Sequence, residues 1–182
     1  MLKNQKAFTL IELLITLLVL AILASLAVPS FRVQTLNAKA KALEEDLAGR
    51  INQARYEAIK KSRRVSMCAS SDSSTCTGGW TDGYIVFEDN ATTDGATDPI
   101  VGTILRTYAK PDLKTVIEVK NNTTVVTFMR FTSMGTLARI SGSTNPHLGI
   151  NAYVTGCKGK NMRVFTLGVS GLISVKREDC PA

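Results

Sequence analysis

The sequence predicts an α+β fold in which one long N-terminal helix packs on antiparallel β-sheet. Three features indicate this class. An apolar run occupies residues 8–28, and it is followed without a break by an amphipathic stretch over residues 30–62. From Val65 onward the chain changes to short β-type runs separated by loops rich in Gly, Asp and Ser. A helical period that gives way to short alternating runs is typical of one helix followed by a sheet.

The apolar run from Phe8 to Val28 contains a single charged residue, Glu12. As a helix it extends about 31 Å, which matches the hydrocarbon core of a bilayer. Lys3 and Lys6 precede the run and no acid does. The positive-inside rule therefore places the N-terminus in the cytoplasm and the following domain across the membrane.

Two simpler interpretations of this run fit less well. A secretory signal peptide has a shorter apolar region and an A-x-A cleavage site, and it carries no residue like Glu12. A generic membrane anchor explains everything except Glu12, because a carboxylate inside the run costs roughly 2.5–3.5 kcal/mol on insertion scales. Glu12 therefore predicts a functional site that needs a partner.

The stretch KAFTLIEL at residues 6–13 resembles the class III signal of type IV pilins and type II secretion pseudopilins. The resemblance implies that a dedicated prepilin peptidase cuts between Ala7 and Phe8, N-methylates Phe8 and leaves the apolar segment on the mature protein. The family usually has Gly before the cut, so Ala7 predicts slower cleavage. Pro29 stands where the family usually has Pro.

The same resemblance divides the chain into three parts. Residues 1–7 are expected to be a cleaved leader, 8–29 a transmembrane and assembly helix, and 30–182 a periplasmic globular domain. In a filament of packed helices, Glu12 can meet the Phe8 ammonium of a neighbouring subunit. A buried charge is tolerated only with a partner, so we predict that Glu12 sets the register of assembly.

The amphipathic stretch carries apolar residues at steps of three and four, which is the period of a helix with one buried face. These residues are Leu36, Ala40, Leu43, Leu47, Ile51, Ala54 and Ala58. Four cations follow at its end, at positions 60, 61, 63 and 64. Cations suit the negative end of the helix dipole, and we favour that interpretation over a DNA-binding patch.

The remaining sequence predicts strands, which alternate in polarity or are rich in β-branched residues. They fall at residues 65–69, 84–88, 100–108, 113–120 and 123–131, with weaker ones at 148–154, 162–167 and 172–176. Residues 47–68, the stretch WTDGYIVF at 80–87 and FTSMG at 131–135 resemble the FimT/FimU and GspH group of minor pilins and pseudopilins. That resemblance implies a helix packed on two small β-sheets and no enzyme activity.

The composition excludes several classes of site. There is one His, so neither a His metal cluster nor a Ser-His-Asp triad can be assembled. Four Cys in an exported domain predict two disulfides. Three pairings are possible, and we favour Cys68–Cys76 with Cys157–Cys180 because each pair spans one loop or hairpin. The Cys spacing does not fit zinc.

The sequence predicts no cofactor, metal or catalytic site. The acidic stretch at residues 88–98 offers carboxylates for Ca²⁺, but its spacing does not match an EF-hand loop. We therefore expect a solvated surface loop there. Trp80 is expected to pack at the edge of the core, and His147 to lie in an exposed loop.

The net charge of +7 permits a nucleic-acid partner without naming one. Candidate DNA contacts near the C-terminus are Lys158, Lys160, Arg163, Lys176 and Arg177. FimT-like pilins that capture DNA carry a G-R-x-R motif near this position. The corresponding stretch here is GLIS at residues 171–174, which lacks both arginines.

The first hypothesis is therefore a FimU-like minor pilin in the priming or tip complex of a type IV pilus, which supports pilus assembly, twitching motility and adhesion. Its expected partners are major and minor pilins, the prepilin peptidase and the inner membrane. It is expected in the inner membrane before assembly and in the extracellular pilus afterwards. The alternatives are a FimT-like DNA-binding minor pilin for natural transformation and a GspH-type pseudopilin of type II secretion.

Overall fold

The computed structural model of this 182-residue chain describes residues 9–111, 114–143 and 145–181. The side chains of residues 26, 27, 29 and 30 are not part of that description. The predicted leader at 1–7, the proposed cut between Ala7 and Phe8, and the side chain of Pro29 therefore lie outside the described residues.

Helix α1 runs without interruption from Leu10 to Lys61. Thr9 caps its start, because its Oγ1 accepts a hydrogen bond from the backbone N–H of Glu12 at 3.3 Å. Ser62 ends it in the left-handed conformation at φ 51°, and the Ser62 N–H bonds back to the last turn. The cations Lys60 and Lys61 occupy that turn, as the helix-dipole interpretation predicts.

Two antiparallel sheets follow the helix, which confirms the predicted α+β class. The first contains β1 (Val65–Ala69), β2 (Gly83–Asp89), β3 (Val101–Ala109) and β6 (Phe128–Phe131), in the order β3-β2-β1-β6. The second contains β4 (Thr115–Asn121), β5 (Thr124–Val125), β7 (Leu148–Val154), β8 (Met162–Leu167) and β9 (Ile173–Glu178), in the order β5-β4-β7-β8-β9. A short 3₁₀ helix, Trp80–Asp82, precedes β2.

The single strand predicted at residues 123–131 is wrong, because the structure divides it between the two sheets. The backbone N–H of Val126 donates to the carbonyl of Val119 in β4 of the second sheet. The carbonyl of Thr127, in contrast, accepts from the N–H of Ala69, the last residue of β1 in the first sheet. The chain therefore changes sheets between Val126 and Thr127. An uninterrupted β-type run carries no sign of such a switch, which depends on the neighbours of each half.

The buried face of α1 lies over both sheets. Leu47, Ile51, Ala54 and Ala58 are buried in one cluster with residues of both sheets, including Met67, Phe131, Ile150 and Phe165. Burial of each large apolar side chain contributes roughly 1.5–3 kcal/mol, so this contact fixes the helix on the domain. Ala40 is also buried and Leu43 packs against the cluster, so the predicted stripe is correct from Ala40 onward, whereas Leu36 is only half-buried.

Trp80 and Gly135 add two details to the packing of the core. Trp80 is buried rather than peripheral, and its Nε1 donates to the carbonyl of Val126 at 2.8 Å. Gly135 adopts φ 75° in the FTSMG turn, and a Cβ there would lie 2.6 Å from Ile59 Cδ1. That turn therefore packs directly on the end of α1.

Disulfide bonds join Cys68 to Cys76 and Cys157 to Cys180. This is the sequential pairing that the sequence analysis favoured. The first bridge closes a short loop after β1. Within that loop, the Asp72 carboxylate accepts hydrogen bonds from the Thr75 hydroxyl and from the N–H groups of Thr75 and Ser74. These bonds hold the pKa of Asp72 well below its usual range.

Candidate assembly interface and charged sites

The first half of α1 presents apolar side chains to solvent. The large ones between Leu10 and Val28 whose side chains the structure describes are exposed, among them Leu14, Leu18 and Leu23. A continuous apolar surface of this kind is uncommon on a soluble monomer and marks an interface. Within the residues that the structure describes, none of the helices has both the length and the apolar character required to cross a membrane.

Glu12 is exposed on this apolar half, in the first turn of α1. In the described part of the chain no cation forms an ion pair with its carboxylate. Phe8, the partner proposed from a neighbouring subunit, lies outside the described residues. The structure thus places Glu12 on the exposed apolar surface of α1.

Two open grooves lie where the apolar half of α1 meets the globular domain. One, with a volume of about 680 Å³, runs between Val28, Leu36 and the loop at Gly156 and Lys158. The other, of about 450 Å³, is lined by Phe31, Leu36 and Lys114, among others. Arg32 lines both grooves. This end of the domain is therefore apolar with a cationic margin.

Arg163 does not belong to an exposed DNA-binding surface, which corrects the sequence interpretation of that residue. It is only 3% exposed and forms an ion pair with Glu44 of α1. Its Nη1 also donates to the carbonyl of Lys160 at 3.3 Å. Arg163 therefore anchors α1 to β8 instead of facing solvent.

The other C-terminal cations are exposed, but they do not form one surface. Lys176 and Arg177 are neighbours in the edge strand β9, and successive side chains of a strand point to opposite faces. Arg177 pairs in register with Arg163 and lies 3.9 Å from Glu44, on the face toward α1. Lys176 faces the opposite side. Lys158 and Lys160 lie in the preceding loop, outside the strands.

Three of the four cations at the end of α1 are held in ion pairs with the first sheet and its loop. Lys61 and Arg63 lie 3.0 and 3.7 Å from the carboxylate of Glu88, and Arg64 lies 3.1 Å from Asp94. Arg64 also donates to the carbonyl of Ala91 at 2.7 Å. These contacts fit the interpretation of these cations as part of the helix end rather than as a DNA-binding patch.

A buried ion pair, which the sequence analysis did not predict, holds the acidic loop. Arg130 Nε lies 2.7 Å from Asp89 Oδ2, and both side chains are fully buried. The two Nη atoms of Arg130 donate to the backbone carbonyls of Asp94, Ala96 and Asp98. One guanidinium on β6 therefore fixes the path of the loop between β2 and β3.

The Asp89 carboxylate is fully used in this cluster. It accepts from Ser66 Oγ at 2.6 Å and from the N–H groups of Ala91 and Ile100, both at 2.9 Å. Burial opposes its negative charge, but these hydrogen bonds and Arg130 outweigh burial and lower the pKa of Asp89. The expectation of a solvated loop is thus wrong at Asp89. Among the described residues no group of three or more His, Cys, Asp or Glu is placed to hold a metal ion.

Comparison with known proteins gives two family matches. The family model described as "Type II transport protein GspH" matches residues 45–171, well over half of the chain. The model described as "Prokaryotic N-terminal methylation motif" matches residues 2–28. No curated protein matches the chain at a significant level.

Among solved structures, the chain is similar to two crystal forms of the type IV minor pilin FimU from Pseudomonas aeruginosa strain PAO1. The P21 form superimposes with a TM-score of 0.55 at 20% identity, over 76% of this chain and 89% of FimU. The P65 form gives a TM-score of 0.52 at 20% identity, over 75% and 91%. At this identity the likeness establishes a shared fold.

Proposed function

The chain belongs to the GspH family of type II transport proteins, and from this premise we propose that it is a minor pilin in the priming or tip complex of a type IV pilus. In that role it supports pilus assembly, twitching motility and adhesion. The family and the FimU fold are those of structural subunits rather than enzymes. The observation that carries the proposal is the exposed apolar half of α1, which needs lipid or neighbouring helices to cover it.

The match to the N-terminal methylation motif supports a proposal for processing and location. Prepilin peptidase cuts between Ala7 and Phe8 and methylates the new N-terminus. Residues 8–29 then hold the protein in the inner membrane, with residues 30–182 in the periplasm, until the subunit moves into the extracellular pilus. The two disulfides support this location, because such bonds persist in oxidising compartments.

Assembly proceeds by replacement of lipid around α1 with the helices of other pilins. Glu12 enters the helical core of the filament and meets the methylated amine of Phe8 from an adjacent subunit. Only a subunit in the correct register satisfies this charge, because an unpaired buried carboxylate is strongly unfavourable. Pro29 marks the boundary between the segment that enters the filament core and the segment that carries the domain.

The experiment is a comparison of full-length wild-type, Glu12→Ala and Glu12→Asp proteins in filaments sheared from cells. Glu12→Ala should be processed and remain in the membrane fraction, yet its amount in filaments should fall at least about tenfold, equivalent to 1.4 kcal/mol of lost interaction. Glu12→Asp keeps the charge and should retain a larger share of incorporation. Incorporation of Glu12→Ala at the wild-type level would refute the role of Glu12.

Two other functions have specific support. The exposed Lys158, Lys160 and Lys176 favour a DNA-binding minor pilin for transformation, although Arg163 is buried and Arg177 faces α1. The description of the matched family favours a pseudopilin of type II secretion. The neighbouring genes discriminate between the pilus and the secretion system, and a DNA titration tests the transformation role.

A further inference from the structure

The larger of the two grooves follows α1 across the junction between its apolar half and the globular domain. It starts at Ala21, Ala24 and Val28, within the segment that the proposed function places in the bilayer. It continues past Arg32 to Lys158, in the loop between β7 and β8. The groove therefore has an apolar end and a cationic end within one volume of about 680 Å³.

The position of Arg32 along α1 matches the depth of lipid headgroups. Residues 8–28 extend about 31 Å as a helix, which is the thickness of the hydrocarbon core. Arg32 lies about 6 Å beyond Val28 along the helix axis, and the headgroup region adds roughly 5–8 Å on each side of that core. Phe31 is at the same level and is 69% exposed, so its ring can enter the boundary between headgroups and acyl chains.

The smaller groove adds a cation from a separate segment of the domain. It is lined by Phe31, Arg32 and Lys114, and Lys114 immediately precedes β4. Arg32 lines both grooves. Lys114 and Lys158, which belong to two different loops, therefore border the surface at Arg32. Several cations around one position at headgroup depth favour a negatively charged ligand.

The C-terminal segment brings two exposed acids, Glu178 and Asp179, beside the loop that carries Lys158. The second disulfide holds this segment against that loop. Neither acid lines a groove, and no other Asp or Glu of the described chain does. When the two acids are set against the two exposed lysines of the loop, Arg32 and Lys114 still give the grooves an excess of positive charge.

We propose that this groove binds an acidic phospholipid of the periplasmic leaflet. An acyl chain lies along Ala21, Ala24 and Val28, and the phosphate lies at Arg32. The inference rests on the proposed function, because only a chain whose apolar half lies in the inner membrane exposes the groove to lipid. Each cation near a membrane surface favours a negatively charged lipid by about fivefold in affinity.

The apolar end of the groove favours a phospholipid over DNA. Lys and Arg contact DNA mainly at its phosphates, so bound DNA would leave the surface from Ala21 to Val28 uncovered. An acyl chain covers that surface, and the phosphate of the same molecule reaches the cationic end. One phospholipid therefore complements both ends of the groove.

The test is native mass spectrometry of the full-length chain released from nanodiscs that contain equal amounts of phosphatidylglycerol and phosphatidylcholine. The ratio of the two lipids retained on the protein measures selection for the negative headgroup. The wild-type chain should retain phosphatidylglycerol over phosphatidylcholine by at least about fivefold. A ratio near one would overturn the inference.

Charge variants then assign the selection to the groove. Arg32→Gln and Lys114→Gln should each lower the lipid ratio about fivefold, because each removes one cation. Arg32→Lys keeps the charge and should retain the ratio, which separates loss of charge from a general disturbance of α1. Lys60→Gln is the matched control, since Lys60 is exposed in the last turn of α1, about 42 Å along the helix from Arg32. An equal fall in Lys60→Gln would overturn the assignment.

A short DNA duplex added to the same nanodiscs tests the competing ligand. We expect the duplex to leave the lipid ratio unchanged. Displacement of phosphatidylglycerol by the duplex, together with loss of duplex binding in Lys114→Gln, would assign the cations to DNA and overturn the lipid inference.

Sheared filaments separate failure of this inference from failure of the proposed function. If the chain enters filaments but does not select phosphatidylglycerol in nanodiscs, the lipid inference is overturned and the pilin role stands. If the wild-type chain is missing both from filaments and from the membrane fraction, the proposed function fails and the lipid inference falls with it.

Discussion

Replacement of Arg130 by Met should strongly destabilise the globular domain. The guanidinium is fully buried, pairs with Asp89 and donates to three backbone carbonyls of the loop between β2 and β3. Met fills much of the same volume but leaves the buried carboxylate without its cation and the carbonyls without a donor. Removal of one partner from a buried pair costs roughly 3–5 kcal/mol. For a domain of this size that corresponds to a fall in Tm of about 6–20 °C.

The measurement is thermal and urea unfolding of a soluble fragment that begins at Phe31. Among the described residues, the buried apolar side chains of the core lie at Ala40 and beyond, so this fragment retains them. Lys110→Met is the matched control, since Lys110 and Asp82 form an exposed pair at 3.3 Å whose loss should cost less than about 1 kcal/mol. If Arg130→Met stays within 1 kcal/mol of wild type, the argument from the buried pair is refuted.

The pH dependence of unfolding gives a second check on the same cluster. The pKa of Asp89 is lowered in the folded state, so its contribution is present above the unfolded value of about 3.9 and is lost as the pH falls below it. Asp89→Asn, which cannot ionise, should therefore lose less stability than wild type on acidification. If the free energy of unfolding of both proteins falls equally as the pH is lowered, this role of Asp89 is contradicted.

Three further predictions concern the soluble fragment. Burial raises the pKa of Tyr84 to about 12, although the hydrogen bond from Arg50 opposes the shift, so the fragment should lose up to roughly 3 kcal/mol between pH 10 and 12. Urea unfolding against pH should show less of this loss in Tyr84→Phe. Reduction of the disulfides should lower Tm, since each bridge contributes about 2–4 kcal/mol, and an unchanged Tm would contradict a stabilising role. The third prediction concerns duplex DNA, titrated at two salt concentrations. Lys176 and Arg177 face opposite sides of β9, so we expect no DNA binding that is weakened both by Lys176→Ala and by Arg177→Ala. Micromolar, salt-sensitive binding that both variants weaken would favour the transformation role.

The parts of the fold that the sequence predicted are those fixed by local period. The stripe from Leu47 to Ala58 has helical spacing, and the weaker strands at 148–154 and 162–167 coincide with β7 and β8. The switch between sheets at Val126 was missed because each half of that run is an acceptable strand by itself. Which sheet each half joins depends on partners such as Val119 and Ala69 that are distant along the chain.

The charged sites were harder to predict, for a related reason. Arg130 and Asp89 are separated by 41 residues, and only the sheet order brings them together. Arg163, in contrast, could have been placed correctly from its strand. It shares a face with Phe165 and Leu167 by the alternation of β8, and both of those residues are buried. A cation in register with core residues indicates a buried ion pair more strongly than a DNA contact.

The buried ion pairs of the domain support the proposal that Glu12 needs a cationic partner. Arg130 pairs with Asp89, and Arg163 pairs with Glu44, each across elements that are distant in sequence. Glu12 lies among apolar side chains that a partner must cover, and within the described residues no cation pairs with it. Burial of that surface would bury the carboxylate too, and a buried carboxylate without a cation is strongly unfavourable. We therefore propose that the cation comes from outside the described residues, as the N-terminal amine of a neighbouring pilin.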